Sequence, residues 1–450
     1  MTASTQFLIR LAAGMLMVAV CAQLSWAGIP IQHWTQPSGV KVYLVQSPGI
    51  PMVDVQIDFD AGGRRDPREQ IGLASVTASM ASRGVMADGA APALDENSLS
   101  EAWADLGASF GASAGSDRMS FSLRSLTYPD LLPKAVQLAA RQLGRPGFPA
   151  DVWRRERERM VAGLRESGTR PATVAARAFA AAVFGQHPYG FEATEATLAR
   201  IEVADMQRLY TSLITPCRAK VSIVGALSRA QADELVASLF AGLAAGACIP
   251  LAAVAEVEPL AAAREIRIPF ESAQAHVLIG QPGIRRNDPD FFAITVGNYI
   301  LGGGGFVSRL SEEVRQKRGL SYSVYSFFSP GLHAGAFTVG LQTRPDQATQ
   351  AVAVSREVLE RFVLGGPTAA ELESAKANLV GGFALQIDSN RKLLGSVANI
   401  AWNNLALDYL DSWTQQVQKV SVDDIRNAFA RRLQPQSMVT VVVGAVAPAN

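Results

Sequence analysis

Val203-Ala-Asp205-Met206, running on to Val221-Ser-Ile-Val-Gly225, and Val422-Asp-Asp424-Ile425, running on to Val441-Val-Val-Gly444, are two copies of one pattern. Residue 203 maps to 422 and residue 225 to 444, an offset of 219 at both ends. Outward from these anchors, Pro129-Asp130 matches Pro345-Asp346, and each is followed by a helical pattern carrying Ala-Val, at Ala135-Val136 and Ala351-Val352. Pro149 and Pro367 each open a long polar helix. Matches in the same order at nearly constant offset predict a duplicated unit of about 200 residues.

Within each copy strands and helices mix. Pro51 to Asp60 alternates, with Val53, Val55, Ile57 and Phe59 on one face and Asp54, Gln56, Asp58 and Asp60 on the other. That spacing predicts a half-buried strand. Met119 to Leu123 alternates likewise, and Ser38-Gly39 suits a hairpin turn. Leu132 to Leu143 and Val152 to Leu164 read as amphipathic helices. The expected fold class is α+β: two tandem homologous domains, each an antiparallel sheet packed with helices on one face. One sheet face would remain for the second copy to cover. The expected domains are 30–241 and 264–450, joined by a linker at 242–263 that holds at most a short helix.

Of 450 residues, 48% are apolar and 18% charged, which provides for a large core. A net charge of +1 argues against nucleic acid as a partner. Residues 1–27 have the form of a secretory signal: one charge at Arg10, an apolar run from Leu11 to Ala22, and small residues at Ser25 and Ala27. The run is too short to span a bilayer, so a periplasmic location without a stable membrane span is expected. Cys21 would permit lipid anchoring, although Val20 ahead of it is not small. Cys217 and Cys248 remain after cleavage. An oxidising compartment allows them to pair, but spacing does not bring them together, and two buried thiols are the expectation.

Gly72-Leu-Ala-Ser75-Val-Thr-Ala78-Ser79-Met-Ala-Ser-Arg83-Gly84 follows the first strand and a polar loop. Its small residues suit a helix packed closely on a neighbour. This strand, the Ala61-Gly-Gly loop and the Gly-Leu-Ala helix resemble the start of the insulinase, pitrilysin and mitochondrial-processing-peptidase family of zinc peptidases. The family motif is His-x-x-Glu-His on this helix. The two histidines share one helical face and bind zinc, and the glutamate polarises its water. Laid on this chain, those positions are Ser75, Ala78 and Ser79, so metal and base are both lost. Glu156 or Glu158 would match the family's third ligand, but a lone carboxylate does not hold zinc. The chain has four histidines, at His33, His187, His276 and His333, and none has another within helical reach. No metal is expected in this chain.

The second half contains Leu301-Gly-Gly-Gly-Gly305-Phe-Val-Ser308-Arg-Leu-Ser-Glu-Glu-Val-Arg315-Gln-Lys-Arg-Gly319-Leu-Ser-Tyr322. Ser308 can cap a helix, with acidic residues early, basic residues late and Gly319 as its stop. Leu310 and Val314 would share its buried face. A strand is expected from Ser321, with Tyr322, Val324 and Ser326 on one side. Gly302, Gly303, Gly304 and Gly305 form either a mobile strip that peptide backbone can approach or a plain connection. They follow a helix, Asp290 to Leu301, which excludes a phosphate-binding loop. The segment resembles the family's C-terminal-domain signature, where an Arg and a Tyr seven residues apart contact substrate. Arg315 and Tyr322 match them. The resemblance implies a non-catalytic subunit that lends this pair, in trans, to a homologous zinc-bearing partner acting on a peptide or unfolded protein. A pseudo-peptidase that only binds or scaffolds is the alternative.

Overall fold

The computed structural model describes residues 28–89, 91–244 and 248–444. The predicted leader, 1–27, lies outside them. In the first half, strands Gln32–Thr35 and Lys41–Gln46 form a hairpin through Ser38-Gly39, where Gly39 adopts φ 88°, a region open to glycine. The six-stranded first sheet has the order 32–35, 41–46, 220–225, 52–59, 119–126, 109–114. The five-stranded second sheet has the order 323–328, 336–343, 275–282, 439–443, 264–268. Read backwards, the second order repeats the first without its opening hairpin strand. The helices Val203–Leu213 and Val422–Arg432 also correspond, and each leads into the matching strand. Each of these helices starts at a reciprocal cap, from Glu202 with Asp205 and from Ser421 with Asp424.

The sheets are not wholly antiparallel. Strand 41–46 runs parallel to 220–225, and 264–268 runs parallel to 439–443. The last strand of each repeat returns from a long helical excursion, so it can insert in either direction. The alternating strand also differs from expectation, because Asp54 and Asp58 on its polar face are 4% and 0% exposed. The cause is an exchange of helices between the halves. Helix Asn390–Asn403, from the second half, lies on strands Met52–Phe59 and Lys220–Gly225 of the first sheet. Helix Pro171–Phe184, from the first half, lies on strands Ala275–Pro282 and Val439–Val443 of the second. Each exchange has its own apolar core: Val397 and Ile400 with Tyr43, Val45 and Val224, and Phe179 and Val183 with Val439 and Val441.

The buried carboxylates of the first sheet are matched by cations. Arg124 donates twice to Asp54, and Arg118 pairs with Asp58 at 3.0 Å. Burial pushes the Asp58 carboxyl up, while Arg118, Ser120 and Gln56 pull it down. Lys220 Nζ donates to the carbonyls of Ala401 and Trp402, at 2.8 and 3.1 Å, and caps the C-terminus of the exchanged helix. The joining segment has no helix among its described residues, 242–244 and 248–263. Arg65 and Arg218 donate to Ala252 and Ile249 carbonyls, and Ala334 N donates to Glu256. Cys217 and Cys248 are joined in a disulfide with Cα atoms 6.1 Å apart, correcting the expectation of free thiols. The pairing depends on how the joining segment folds back, which spacing alone does not encode.

Candidate functional site

Helix Leu73–Met80 carries Ser75, Ala78 and Ser79, the positions that the sequence resemblance assigns to the zinc motif. Gly72, at φ 105°, turns the chain into it, and Asp66 accepts hydrogen bonds from Gly72 N and Ala74 N at 2.9 Å each. Burial pushes the Asp66 carboxyl up to about 6, against these hydrogen bonds. Ser75 is exposed, Ser79 is half-buried, and both line a cleft of about 430 Å³ with Ser82, Arg83 and the strand 112–114. Ala78 is fully buried, so its methyl group belongs to the core. Glu156 reaches this region but is ion-paired, with Arg83 at 3.5 Å and with Arg159. Arg159 holds its carboxyl below the usual range, aided by Arg83. Glu158 is exposed. Two hydroxyls, a buried methyl and one neutralised carboxylate do not form a zinc donor set.

Among the described residues, no cluster of three or more His, Cys, Asp or Glu side chains is arranged to hold a metal. His33 stacks on Tyr43, and its Nδ1 lies 2.9 Å from the Val42 carbonyl. His187 Nδ1 accepts from Tyr189 N, but its Nε2 is buried without a hydrogen-bond partner among the described residues, so the side chain is only half satisfied locally. His187 and His333, from opposite halves, bring their rings to 5.1 Å, with Glu256 3.5 Å from His333. Desolvation and the neighbouring His333 lower the pKa of His187. Helical spacing gave no sign of this pair, because three separate segments meet there.

Arg315 and Tyr322 do come together. The Arg315 guanidinium lies 4.4 Å from the centre of the Phe306 ring and 4.7 Å from that of Tyr322. Both rings are exposed, at 65% and 80%. The neighbouring Lys317 and Arg318 are neutralised by Glu312 and Glu313, whereas no ion pair involves Arg315 among the described residues. Its fork is therefore held between two aromatic faces with its N–H edge free. Leu310 and Val314 are buried as expected. Ser308 accepts from Ser311 N at 3.4 Å, but the helix is widened over Ser311–Gln316 to a π turn. Tyr322 precedes the strand, which starts at Ser323, and projects outward while Val324 and Ser326 are buried. This corrects the expected grouping of all three on one side.

Sequence reasoning missed Phe306, because an aromatic residue after a glycine run carries no local signal. Gly302, Gly303 and Gly304 are packed closely, whereas Gly305 has open space around it. The preceding helix, Phe291–Asn298, passes into a second widened turn at Tyr299–Gly303. A Cβ at Gly302 would lie 2.5 Å from Ser326 N, and one at Gly304 2.7 Å from the Tyr299 carbonyl. Asn298 donates to the Ser326 carbonyl and accepts from its hydroxyl, tying this turn to the strand. Gly305 takes φ 63° and turns the chain outward to Phe306.

Residues 200–379 match the model described as the Peptidase M16 inactive domain. A solved structure of a peptidase M16 inactive domain from Pseudomonas fluorescens superposes with a TM-score of 0.86 and 33% identity, covering 93% of this chain and 98% of that one. The chain belongs to the M16 peptidase family. A non-peptidase homolog from Helicobacter pylori is 24% identical over 97% of this chain and 98% of its own length. An uncharacterized zinc protease of Streptomyces coelicolor is 30% identical over 59% of each chain. The matched model and the Pseudomonas fluorescens structure are both described as an inactive domain of this family. Among the described residues, no helix is long and apolar enough to cross a membrane.

Proposed function

We propose that this chain is the zinc-lacking subunit of an exported two-chain M16 peptidase, placed in the periplasm by residues 1–27. It lends Arg315 and Tyr322 to a homologous partner that carries the zinc and hydrolyses peptide bonds. The observation that supports this is the unpaired, ring-clamped guanidinium of Arg315 beside the exposed Tyr322 hydroxyl. The guanidinium donates to a peptide carbonyl without losing its charge, and the phenol donates to the oxyanion formed on attack. Neither step needs a metal in this chain. The test is to mix this chain with its homologous zinc-bearing neighbour and assay an unfolded peptide, with each chain alone as control. Activity only in the mixture is expected.

The alternative, a pseudo-peptidase that binds or scaffolds, draws on the likeness to the non-peptidase homolog. Recovery of the native chain from cells with no zinc-bearing sister attached would favour it.

A further inference from the structure

The exchanged helix Pro171–Phe184 packs mainly on the strands Ala275–Pro282 and Val439–Val443 of the second sheet. A cavity of about 290 Å³ remains between that helix and strand Ser323–Phe328. Tyr325 and Phe327 form its aromatic wall, stacked with ring centres 5.9 Å apart and 43% and 40% exposed. Tyr325 lies flat because it faces Gly340 on the next strand, where a Cβ would stand 2.6 Å from its ring. On the opposite side the helix presents Ala172, Ala175 and Ala176, small residues that keep the gap open, with Phe179 at its base. Leu278 and His276 complete the floor, and burial lowers the pKa of His276. Among the described residues, no Asp, Glu, Lys or Arg lines the cavity. A charged group entering it would be left without a partner.

We propose that this cavity is a subsite for one bulky apolar side chain of an extended peptide. Its volume lies just below the range for sites that take whole ligands, which run from about 300 to 1,000 Å³. That suits a single aromatic or large aliphatic side chain and excludes a helix or folded domain. Tyr325 stands three residues beyond Tyr322, about 10 Å along an extended chain. A peptide gripped at Arg315 and running beside this strand would bring a side chain a few positions away within reach of the cavity. The subsite rests on the proposed peptide-binding function and names its substrate class: unfolded segments with an aromatic or bulky aliphatic residue at that spacing.

The test uses two fluorescein-labelled decapeptides of Gly and Ser that differ at one central position, Phe or Ala. Anisotropy titration of the full chain gives the ratio of their affinities. The Phe peptide is expected to bind about ten-fold tighter, in line with burial of one aromatic side chain. Ala176→Trp, at the exposed mouth, fills the cavity and should bring the ratio to one. Tyr325→Ala should lower it, and circular dichroism confirms that both variants fold. Arg315→Ala should weaken both peptides alike and keep the ratio. A ratio of one in the unaltered chain, no measurable binding of the Phe peptide, or a ratio that both cavity variants leave intact would overturn the subsite. If the ratio behaves as expected but the mixture with the zinc-bearing chain shows no peptidase activity, the subsite stands and the proposed function fails.

Discussion

Phe179→Ala tests whether the exchanged helix holds the halves together. Phe179 is 6% exposed and belongs to the first half by sequence, yet it packs in the second-half core with Val439 and Val441. Its ring rests against Gly280, where an added Cβ would lie 2.8 Å from the ring tip. Truncating a buried phenylalanine costs about 3–5 kcal/mol. Phe179 also borders the 290 Å³ cavity, which gives the site room to rearrange, so a loss near the low end, about 3 kcal/mol, is expected. Urea unfolding followed by circular dichroism would show a lower midpoint with an unchanged slope. A loss below about 1 kcal/mol would refute the reasoning, because an ordinary surface substitution costs that little.

Three further outcomes follow from particular contacts. Closing a loop of 31 residues, the Cys217–Cys248 disulfide should contribute roughly 3–4 kcal/mol by the chain-entropy model, read as the drop in urea midpoint on reduction. Gly302→Ala should displace strand Ser323–Phe328, because its Cβ meets backbone; a thermal melting point lowered by several degrees, together with weaker peptide binding, is expected. Hydrogen bonds from Arg309 hold the Glu371 carboxyl down to about 2. A depressed carboxylate contributes stability fully above its unfolded value, and that contribution is lost as pH falls through the folded one. The difference between the unaltered chain and Glu371→Gln should therefore shrink between about pH 4.5 and pH 2. Its size above that window is roughly 1–2 kcal/mol, discounted for the partial exposure of the pair.

The fold was legible wherever the signal was local. The valine runs and the offset of 219 placed the corresponding helices and strands of the two halves. What lay hidden was which sheet each helix covers. Asp54 and Asp58 look like a solvent face because alternation records polarity alone, and the buried face is made possible by Arg124 on the neighbouring strand and Arg118 just ahead of it. The parallel strand pairs, the disulfide and the His187–His333 contact depend likewise on distant segments. At the candidate site, the spacing of Arg315 and Tyr322 was readable. The widened turn that aims them and the second ring, Phe306, were not.

The proposed role of this chain turns on whether it supplies chemistry to a partner's reaction. The decisive measurement is kcat/KM for an unfolded peptide by a one-to-one complex with the zinc-bearing homologous chain, with and without Tyr322→Phe and Arg315→Ala here. Removing one transition-state donor costs about 100-fold or more, so each variant should fall by that order with the complex intact. Activity unchanged in both variants would contradict the account and leave this chain a scaffold.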